Sequence, residues 1–222
     1  MKFRHECKHI ILLSDMISLR QRLNTVMAPD IHAVNGFYKI RSLYFDNLYD
    51  KALNEKLNGV NCREKFRLRY YDRNSKQIKL EKKSKINGLC SKESVWLTKE
   101  EAQRIADLDT DWMACDNRPL VTELYSKMQS QGLRPRTIVD YMREPFVYPV
   151  GDVRVTLDYD IRTGTDCCNF LSDNCIMIPT GSEIILEVKW DEFLPNVIRD
   201  IIQLNDTRTG AFSKYAACRI YG

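Results

Sequence analysis

Alternating charged and apolar side chains mark several stretches of the chain as β-strands with one charged face. In residues 63–70 the cations occupy every second position, and apolar or aromatic residues stand between them. Side chains two residues apart lie on the same face of a strand, so this segment has one cationic and one apolar face. The same division recurs in residues 79–83, 153–158 and 184–189, and more weakly in 3–8.

Signals for turns, caps and helix ends divide the rest of the chain into strands and helices. The predicted strands cover residues 3–13, 38–46, 62–71, 77–84, 137–148, 153–161 and 183–190, with a turn at 72–75. The predicted helices run from Ser14 or Asp15 to Met27, over 47–57 as a short helix or turn, from a Thr98/Glu101 capping box to Leu108, from Pro119 to Gly132 and from Pro195 to Leu204, and residues 212–221 close the chain. Strands dominate and helices interrupt them in separate places, which predicts the α+β class with a largely antiparallel sheet.

The cationic faces favour a closed sheet over an ordinary sheet with one solvated side. Like charges on neighbouring strands repel one another, so several cationic strands side by side need a compensating feature. A sheet closed on itself, with helices outside and charges inside, would explain the pattern. Unpaired buried charge is costly unless an anion neutralises it. The predicted ligand is therefore an elongated polyanion that is rich in phosphate.

Composition favours a single domain over residues 1–222. The chain has 44% hydrophobic residues, enough for one core, and no internal repeat or Gly/Ser linker marks a boundary. The net charge of +4 excludes a polybasic tail. No apolar run approaches the roughly 20 residues that span a bilayer, and the first residues lack a signal-peptide h-region. We therefore expect a cytoplasmic protein with no membrane segment in this chain.

Two features suggest metal chemistry and have simpler explanations. The eight cysteines contain no C-x-x-C pair, and we interpret them as reduced, mostly buried thiols. A soft-metal or oxidation-sensitive site at Cys167, Cys168 and Cys175 is the alternative. Residues 5–9 match H-E-x-x-H, a motif that binds zinc only on a helix. In the predicted strand its two histidines would lie roughly 13 Å apart, too far for one metal to bridge.

Nucleotide-binding motifs of the common kinds do not occur in the sequence. There is no P-loop and no dinucleotide-binding glycine pattern. We interpret the aromatic residues Tyr44, Tyr70, Tyr71 and Trp96 as core or rim residues rather than base-stacking platforms. No nucleic-acid partner is expected.

Short motifs along nearly the whole chain resemble those of one known family. They are Arg4-x-Glu6-x-Lys8, Ser42-Leu43-Tyr44-Phe45-Asp46, Lys65-Phe66-Arg67-Leu68-Arg69-Tyr70-Tyr71, Leu80-Glu81-Lys82-Lys83, Ser91-Lys92-Glu93-Ser94-Val95, Tyr141-Met142-Arg143, Arg154-Val155-Thr156-Leu157-Asp158, Ile185-Leu186-Glu187-Val188-Lys189 and Phe212-Ser213-Lys214-Tyr215. In this order the chain resembles the catalytic domain of the vacuolar transporter chaperone (VTC) family, polyphosphate polymerases of the triphosphate tunnel metalloenzyme (CYTH-like) superfamily. The resemblance implies an eight-stranded antiparallel β-barrel, or triphosphate tunnel, with surrounding helices, which transfers the γ-phosphate of ATP to a growing polyphosphate chain.

The resemblance also implies roles for individual residues. Catalytic roles fall to Arg67, Arg69, Lys83, Arg143, Arg154 and Lys214; phosphate-binding roles fall to Lys8, Lys65, Lys92, Tyr141, Lys189 and Ser213; and Glu187 would hold Mn²⁺ or Mg²⁺. These residue types suit phosphoryl transfer, which needs in-line positioning and cations that offset the charge on oxygen. Asp158 and Asp160 could assist the metal or form interior salt bridges, and Lys82 is expected to face outward if Lys83 faces inward.

Departures from the superfamily pattern leave other functions open. Hydrolytic members carry Glu-x-Glu-x-Lys on the first strand, whereas this chain has Arg4 at the first position. The change argues against a metal-dependent tripolyphosphatase or nucleoside triphosphatase, which is the second hypothesis. A basic residue common two positions before Ser213 is replaced by Ala211, for which Arg208 could compensate. The third hypothesis is a non-catalytic module that binds polyanions by charge alone.

Overall fold

The computed structural model describes residues 4–72, 74, 76–204, 208–209 and 212–220, and its centre is one antiparallel sheet. The strands are β1 (His5–Ile11), β2 (Ala28–Pro29), β3 (Tyr38–Asp46), β4 (Cys62–Tyr71), β5 (Ile78–Ile86), β6 (Leu89–Leu97), β7 (Arg134–Tyr148), β8 (Val153–Gly164), β9 (Ile178–Pro179), β10 (Ile184–Trp190) and β11 (Arg208–Thr209). The helices are α1 (Leu13–Val26), α2 (Lys51–Leu57), α3 (Lys99–Ala106), α4 (Pro119–Gln131), α5 (Asn196–Ile201) and α6 (Lys214–Arg219). The predicted α+β class with an antiparallel sheet is confirmed.

Eight long strands follow one another around the sheet. Their order is β1, β10, β8, β7, β3, β4, β5 and β6, and the short β11 pairs with the free edge of β1. An isolated antiparallel bridge between Arg4 and Cys90 connects β1 with β6. Between these two edges the ladder is reduced to that bridge within the described residues. Eight long antiparallel strands are therefore present, as the resemblance implied, but the sheet is not closed by a continuous ladder.

Hairpin chemistry accounts for β6, a strand that the pattern analysis did not predict. β5 runs on to Ile86, and the turn to β6 consists of Asn87 and Gly88 with φ of 49° and 83°. Both angles are positive, as a two-residue type I′ hairpin turn requires. Four consecutive polar residues, 91–94, occupy the middle of β6, so apolar alternation marks this strand weakly.

Several element ends also differ from the predicted ones. Helix α1 begins at Leu13, and Asp15 lies inside it with its carboxylate accepting a hydrogen bond from the Leu12 N–H at 3.1 Å. Strand β7 begins at Arg134 because Gly132, with φ of 67°, ends α4 in the left-handed conformation. The closing segment contains the short helix α6. Of the predicted elements, Phe3, Arg73, Ser75 and Tyr221 lie outside the described residues.

Helices cover the outer, apolar faces of the strands in two places. One buried cluster lies where α3 and α4 pack on β3, β4 and β5, and includes Phe66, Leu68 and Leu124. A second cluster lies where α1 and α5 pack on β8 and β10, and includes Leu19 and Val188. Each such side chain contributes about 1.5–3 kcal/mol when it is fully buried. Apolar burial outside the sheet leaves the opposite strand faces for charged residues.

A third buried cluster lies inside the sheet at one end, where α6 packs against the inner face. Tyr215 of α6 stacks on Tyr44 with ring centroids 5.0 Å apart, and its hydroxyl donates to Asp46 at 2.7 Å. Cys218 is fully buried beside Thr163. Helix α6 therefore covers the end of the channel at which β3 finishes.

None of the helices in the described ranges has both the length and the apolar content needed to cross a bilayer.

Candidate functional site

The inner face of the sheet collects charged side chains from seven strands and from α6. Residues directly opposite on neighbouring strands share a face, and the register pairs Lys65 with Lys83, Lys83 with Lys92, Lys8 with Glu187 and Lys189 with Arg154. The predicted site residues on this face are Lys8, Lys65, Arg67, Arg69, Lys83, Lys92, Tyr141, Arg143, Arg154, Glu187 and Lys189, and Lys214 reaches it from the first turn of α6. We call this arrangement the cationic channel.

Two carboxylates from β1 and β10 share the same lysines within the channel. Glu187 lies 3.3 Å from Lys8 Nζ and also pairs with Lys189, and Arg143 Nη2 is 3.8 Å away. Glu6 pairs with the same two ammonium groups, at 2.8 Å from Lys8 and 3.5 Å from Lys189. Burial alone would raise both carboxyl pKa values, but the lysines lower the pKa of Glu6 to about 2 and that of Glu187 well below its usual range. Both groups are therefore ionised at neutral pH.

The Glu6–Glu187 pair fits a divalent cation only if the ligand supplies further oxygens. The described residues contain no group of three or more His, Cys, Asp or Glu side chains arranged to hold a metal. Mg²⁺ in proteins is often bound by one or two carboxylates together with substrate phosphate oxygens. Two hard, ionised carboxylates beside a phosphate-binding channel match that donor set. Glu187 and Glu6 are thus the residues that could hold Mn²⁺ or Mg²⁺.

A second centre joins Arg143, Asp158 and Lys214. Arg143 donates two parallel hydrogen bonds to Asp158, at 2.6 and 2.7 Å, and Lys214 Nζ lies 2.6 Å from the same carboxylate. Tyr141 lies beneath both cations, 4.7 Å from Lys214 Nζ to its ring centroid and 5.4 Å from the Arg143 guanidinium. Of the two predicted roles for Asp158, metal binding or an interior salt bridge, the structure shows the salt bridge. Asp160 is exposed and pairs with Arg162 at 2.9 Å, away from this centre.

A third centre surrounds Glu81 of β5. Arg67 donates to its carboxylate at 2.6 and 2.8 Å, and Lys92 Nζ lies 3.3 Å from it. Arg69 is 4.0 Å from the same carboxylate and donates to Ser42 at 3.0 Å and to Tyr141 at 3.1 Å. Burial would raise the pKa of Glu81, but the guanidinium groups hold it far below its usual value. Glu81 therefore fixes the two guanidinium groups in place.

Tyr44 and Lys65 have pKa values near neutrality. Arg67 donates to the Tyr44 hydroxyl at 2.9 Å, and Lys65 Nζ lies 5.4 Å from the Tyr44 ring centroid. Burial would raise the pKa of Tyr44, but Arg67, Lys65 and Arg69 together lower it to about 7. Burial and the nearby cations Lys8 and Arg67 lower the pKa of Lys65 to about 8, although Tyr44 raises it in part. The protonation of this part of the channel thus changes within the physiological pH range.

Lys65 and Lys83 form no salt bridge with a carboxylate among the described residues. Desolvation lowers the pKa of Lys83 well below its usual value, and repulsion from Arg67 and Lys189 lowers it further, against a smaller opposing attraction from Glu6 and Glu187. Its neighbour Lys82 points to the outer face and pairs with Glu64 and Glu123, as expected if Lys83 faces inward. An ammonium group in such surroundings is costly without an anion. The channel is therefore short of negative charge at Lys65 and Lys83.

Three predicted site residues lie at the margins of the channel. Arg154 pairs with Asp30 and donates to the Tyr38 hydroxyl at 2.8 Å. The Lys92 side chain is 50% exposed. The Ser213 hydroxyl accepts a hydrogen bond from the Ala216 N–H at 3.3 Å, so it caps α6. Ala211 and the side chain of Arg208 lie outside the described residues. Compensation by Arg208 for the basic residue that Ala211 replaces therefore stays a prediction.

Sequence reasoning assigned no site role to Glu6, Ser42, Tyr44 or Glu81. Each stands at an even spacing from a predicted cation or lies on the predicted inward face of its own strand. That alternation could have identified them as channel residues. Their function as counter-ions or hydrogen-bond partners depends on cross-strand register, which a single strand does not reveal.

Comparisons with known proteins agree with this geometry. A cationic channel inside an antiparallel sheet defines the class as a triphosphate tunnel fold. The family model of the VTC domain matches residues 3–220, and the chain belongs to the VTC domain family.

A solved structure shows the same fold at low sequence identity. A candidate adenylate cyclase from Bacillus halodurans is similar with a TM-score of 0.50 and 14% identity, over 85% of this chain and 80% of that one. A candidate adenylate cyclase from Vibrio parahaemolyticus has a TM-score of 0.46 and 12% identity, over 90% and 82%. Among the curated proteins, none matches.

Proposed function

We propose that this protein is an ATP-dependent polyphosphate polymerase, which transfers the γ-phosphate of ATP to a growing polyphosphate chain. The observation that carries the proposal is the cationic channel, in which Lys65 and Lys83 form no salt bridge with a carboxylate among the described residues. An elongated chain of phosphates would supply negative charge along the whole channel, whereas a small anion would satisfy one centre. Membership of the VTC domain family supports the same reading. A cytoplasmic location, where ATP is available, is part of the proposal.

The chemistry requires positioning and charge rather than a protein nucleophile. A terminal oxygen of the polyphosphate chain attacks the γ-phosphorus of ATP, the bond from that phosphorus to the β-phosphate oxygen breaks, and ADP leaves. The guanidinium groups of Arg67, Arg69 and Arg143 suit two-pronged contacts with phosphate oxygens. Lys83 and Lys214 act as point charges. A divalent cation at Glu187 and Glu6 would supply further neutralisation of oxygen charge.

Hydrolysis in the same channel is the second candidate function, and the position of Arg4 counts against it. Arg4 Nε lies 2.8 Å from Asp191, and its guanidinium also contacts Asp152. This side chain is therefore committed to the loops beside β1 and provides no carboxylate. With Glu6 and Glu187 alone, the site has fewer metal-binding oxygens to activate a water than a Glu-x-Glu strand would provide.

Incubation of the pure protein with ATP and Mn²⁺ or Mg²⁺ tests the proposal. Gel electrophoresis should show long phosphate polymers together with ADP. Release of inorganic phosphate without polymer would instead indicate the hydrolase. Binding of polyphosphate without any turnover would indicate a non-catalytic polyanion-binding module, with a steep salt dependence.

The metal assignment is tested by Glu187→Gln. This change removes the charge but keeps the shape, so we expect turnover to fall about 10²–10³-fold, the usual effect of losing one electrostatic contact in a catalytic site. Glu144→Gln is the matched control, since Glu144 pairs with Arg20 on the outer face at 2.7 and 2.8 Å. Circular dichroism checks that both variants fold. Full activity of Glu187→Gln would show that the metal assignment is wrong.

A further inference from the structure

Trp96 is an exposed aromatic residue on the inner face of the sheet. It is directly opposite Lys79 on β5. The same β5–β6 ladder places Glu81 opposite Ser94 and Lys83 opposite Lys92. Because Glu81 points into the channel, Trp96, two residues beyond Ser94, points to the same side. Yet 53% of Trp96 is exposed. A large aromatic surface is therefore available on the channel side of β6.

Trp96 lies at the end of the channel opposite α6. Strand β6 finishes at Leu97, and by antiparallel pairing this end coincides with the start of β5, the end of β4 and the start of β3. Helix α6 covers the other end, where Tyr215 contacts Asp46 at the finish of β3. Trp96 therefore lies, exposed to solvent, at the end of the channel that α6 does not cover.

Lys79 connects this aromatic surface to the phosphate-binding residues. Its ammonium group lies 4.1 Å from the Trp96 ring centroid, and on the next strand Lys79 is directly opposite Arg69. Two strand spacings, about 10 Å, thus separate Trp96 from Arg69. A flat ring stacked on Trp96 would have a cation beside it and the arginines of the channel beyond. That order, ring then phosphates, is the order of a nucleoside triphosphate.

The backbone at Trp96 is held by a separate network between α3 and the residues just before α4. Arg118 donates to the Trp96 carbonyl at 2.9 Å and pairs with Glu101 and Asp116, both at 2.6 Å. A fixed backbone limits the entropy that the indole loses when a ligand stacks on it. The exposed ring is thus presented on a rigid strand end.

We propose that Trp96 is the nucleobase platform of the channel, on which the base of the donor nucleotide stacks while Lys79 moves from the ring to the adjoining phosphate. The inference rests on the proposed function in taking ATP as the ligand. It replaces the interpretation of Trp96 as a rim residue without a role in base binding. Stacking is tolerant of base identity, so ATP and GTP should bind similarly and both more tightly than UTP.

Calorimetric titration of Trp96→Ala with ATP and with inorganic tripolyphosphate tests the platform. Loss of one base stack is expected to weaken ATP binding roughly 5- to 150-fold, while the affinity for tripolyphosphate, which has no base, stays within about twofold. Trp96→Phe should restore most of the ATP affinity. Trp190→Phe is the control, since Trp190 stacks on His5 at the same end of the sheet but on the outer face.

The two proposals fail in different ways. Equal weakening of ATP and tripolyphosphate by Trp96→Ala, or no weakening of either, would overturn the platform even if polymer forms on the gel. A selective loss of ATP affinity would support the platform even if the wild-type protein only hydrolyses ATP. Absence of ATP binding by the wild-type protein would overturn the platform as well.

Discussion

Lys82 and Lys83 are neighbours in the chain with opposite electrostatic surroundings. Lys82 has two carboxylate partners on the outer face, while Lys83 faces Arg67 and Lys189 across the channel. The pKa of Lys82 is raised, since its carboxylate partners outweigh its burial, and that of Lys83 is lowered. Removing the charge of Lys83 should therefore weaken the binding of an anion and raise the stability of the ligand-free protein.

We predict that Lys83→Met stabilises the ligand-free protein and weakens polyphosphate binding. The change removes a desolvated charge and its repulsion with two cations, so the melting temperature should rise by about 2–4 °C, equivalent to about 1 kcal/mol. Lys82→Met should instead lower it slightly and leave binding unchanged. Differential scanning fluorimetry with and without tripolyphosphate measures both effects. A lower melting temperature for Lys83→Met would contradict the assignment of Lys83 as a channel cation whose desolvation and repulsion outweigh its attraction to Glu6 and Glu187.

Titration of Tyr44 and Lys65 gives the channel a pH dependence. As pH rises through about 7 the Tyr44 hydroxyl becomes a phenolate, and above about 8 Lys65 loses its proton. Both changes reduce the positive charge that attracts phosphate, so affinity should fall as pH rises from 6.5 to 9. Tyr44→Phe should remove the part of this fall centred near pH 7.

The comparison of Tyr44→Phe with wild type isolates the protein group, because the ionisation of the phosphate ligand is the same for both. Affinity for tripolyphosphate is measured at half-unit pH intervals. Tyr159→Phe serves as the control, since burial and Glu144 raise the pKa of Tyr159 to about 12, outside the tested range. Identical pH profiles for wild type and Tyr44→Phe would show that Tyr44 does not titrate in the channel.

At the scale of elements, the sequence predicts strands with strong alternation better than strands whose alternation is interrupted by a run of polar residues. The alternating segment that forms β4 was predicted with its observed bounds, Cys62–Tyr71. Strand β6 was missed because serines, Lys92 and Glu93 interrupt its apolar positions. The dipeptide Asn87-Gly88 between the two strands is a strong hairpin signal that could have found it.

Helix α6 could not be placed from its own sequence. Its six residues are too few to form a stable helix alone, and packing against the inner face of the sheet supplies the stability. Tyr215 and Cys218 are buried only because Tyr44, Thr163 and Asp46 come together from β3 and β8. Lys214 consequently reaches Asp158 from an element whose docking depends on the assembled sheet.

We predict that Tyr215→Ala destabilises the protein by about 3–5 kcal/mol, the usual cost of emptying a fully buried aromatic site. Tyr215→Phe keeps the stack on Tyr44 and removes one of several donors to Asp46, so the cost should be nearer 1 kcal/mol. Urea unfolding measures both values. Equal stability of the two variants would mean that α6 does not dock through this ring.

At the scale of the whole molecule, the sequence predicts the site as a set of cations, and the structure adds the groups that each cation contacts. Alternation places Arg67, Arg69 and Lys83 on inward faces without any tertiary knowledge. It does not reveal that Glu81 holds both arginines or that Lys83 forms no salt bridge with a carboxylate among the described residues. Those properties arise from register between strands far apart in the chain, such as β1 with β10.

The assembled channel carries twice as many cations as carboxylates among the predicted residues and the groups that contact them. Ten cations are Lys8, Lys65, Arg67, Arg69, Lys83, Lys92, Arg143, Arg154, Lys189 and Lys214; five carboxylates are Glu6, Asp30, Glu81, Asp158 and Glu187. A ligand that spans the channel supplies the missing charge to several centres at once. Stabilisation by phosphate should therefore grow with the length of the phosphate chain.

We predict that the melting temperature rises more with long-chain polyphosphate than with tripolyphosphate, and least with pyrophosphate, at equal phosphate concentration. A ligand at 100 times its dissociation constant adds about 2.7 kcal/mol, which for a chain of this size corresponds to a rise of about 5–10 °C. Replacing Arg67 and Arg69 together by Ala should remove most of the rise, whereas Arg104→Ala, an exposed arginine on α3 paired with Asp109, should not. In a continuous channel, each added phosphate raises the melting temperature further until the channel is full. Equal stabilisation by all three phosphates would therefore mean that the cations act as separate sites.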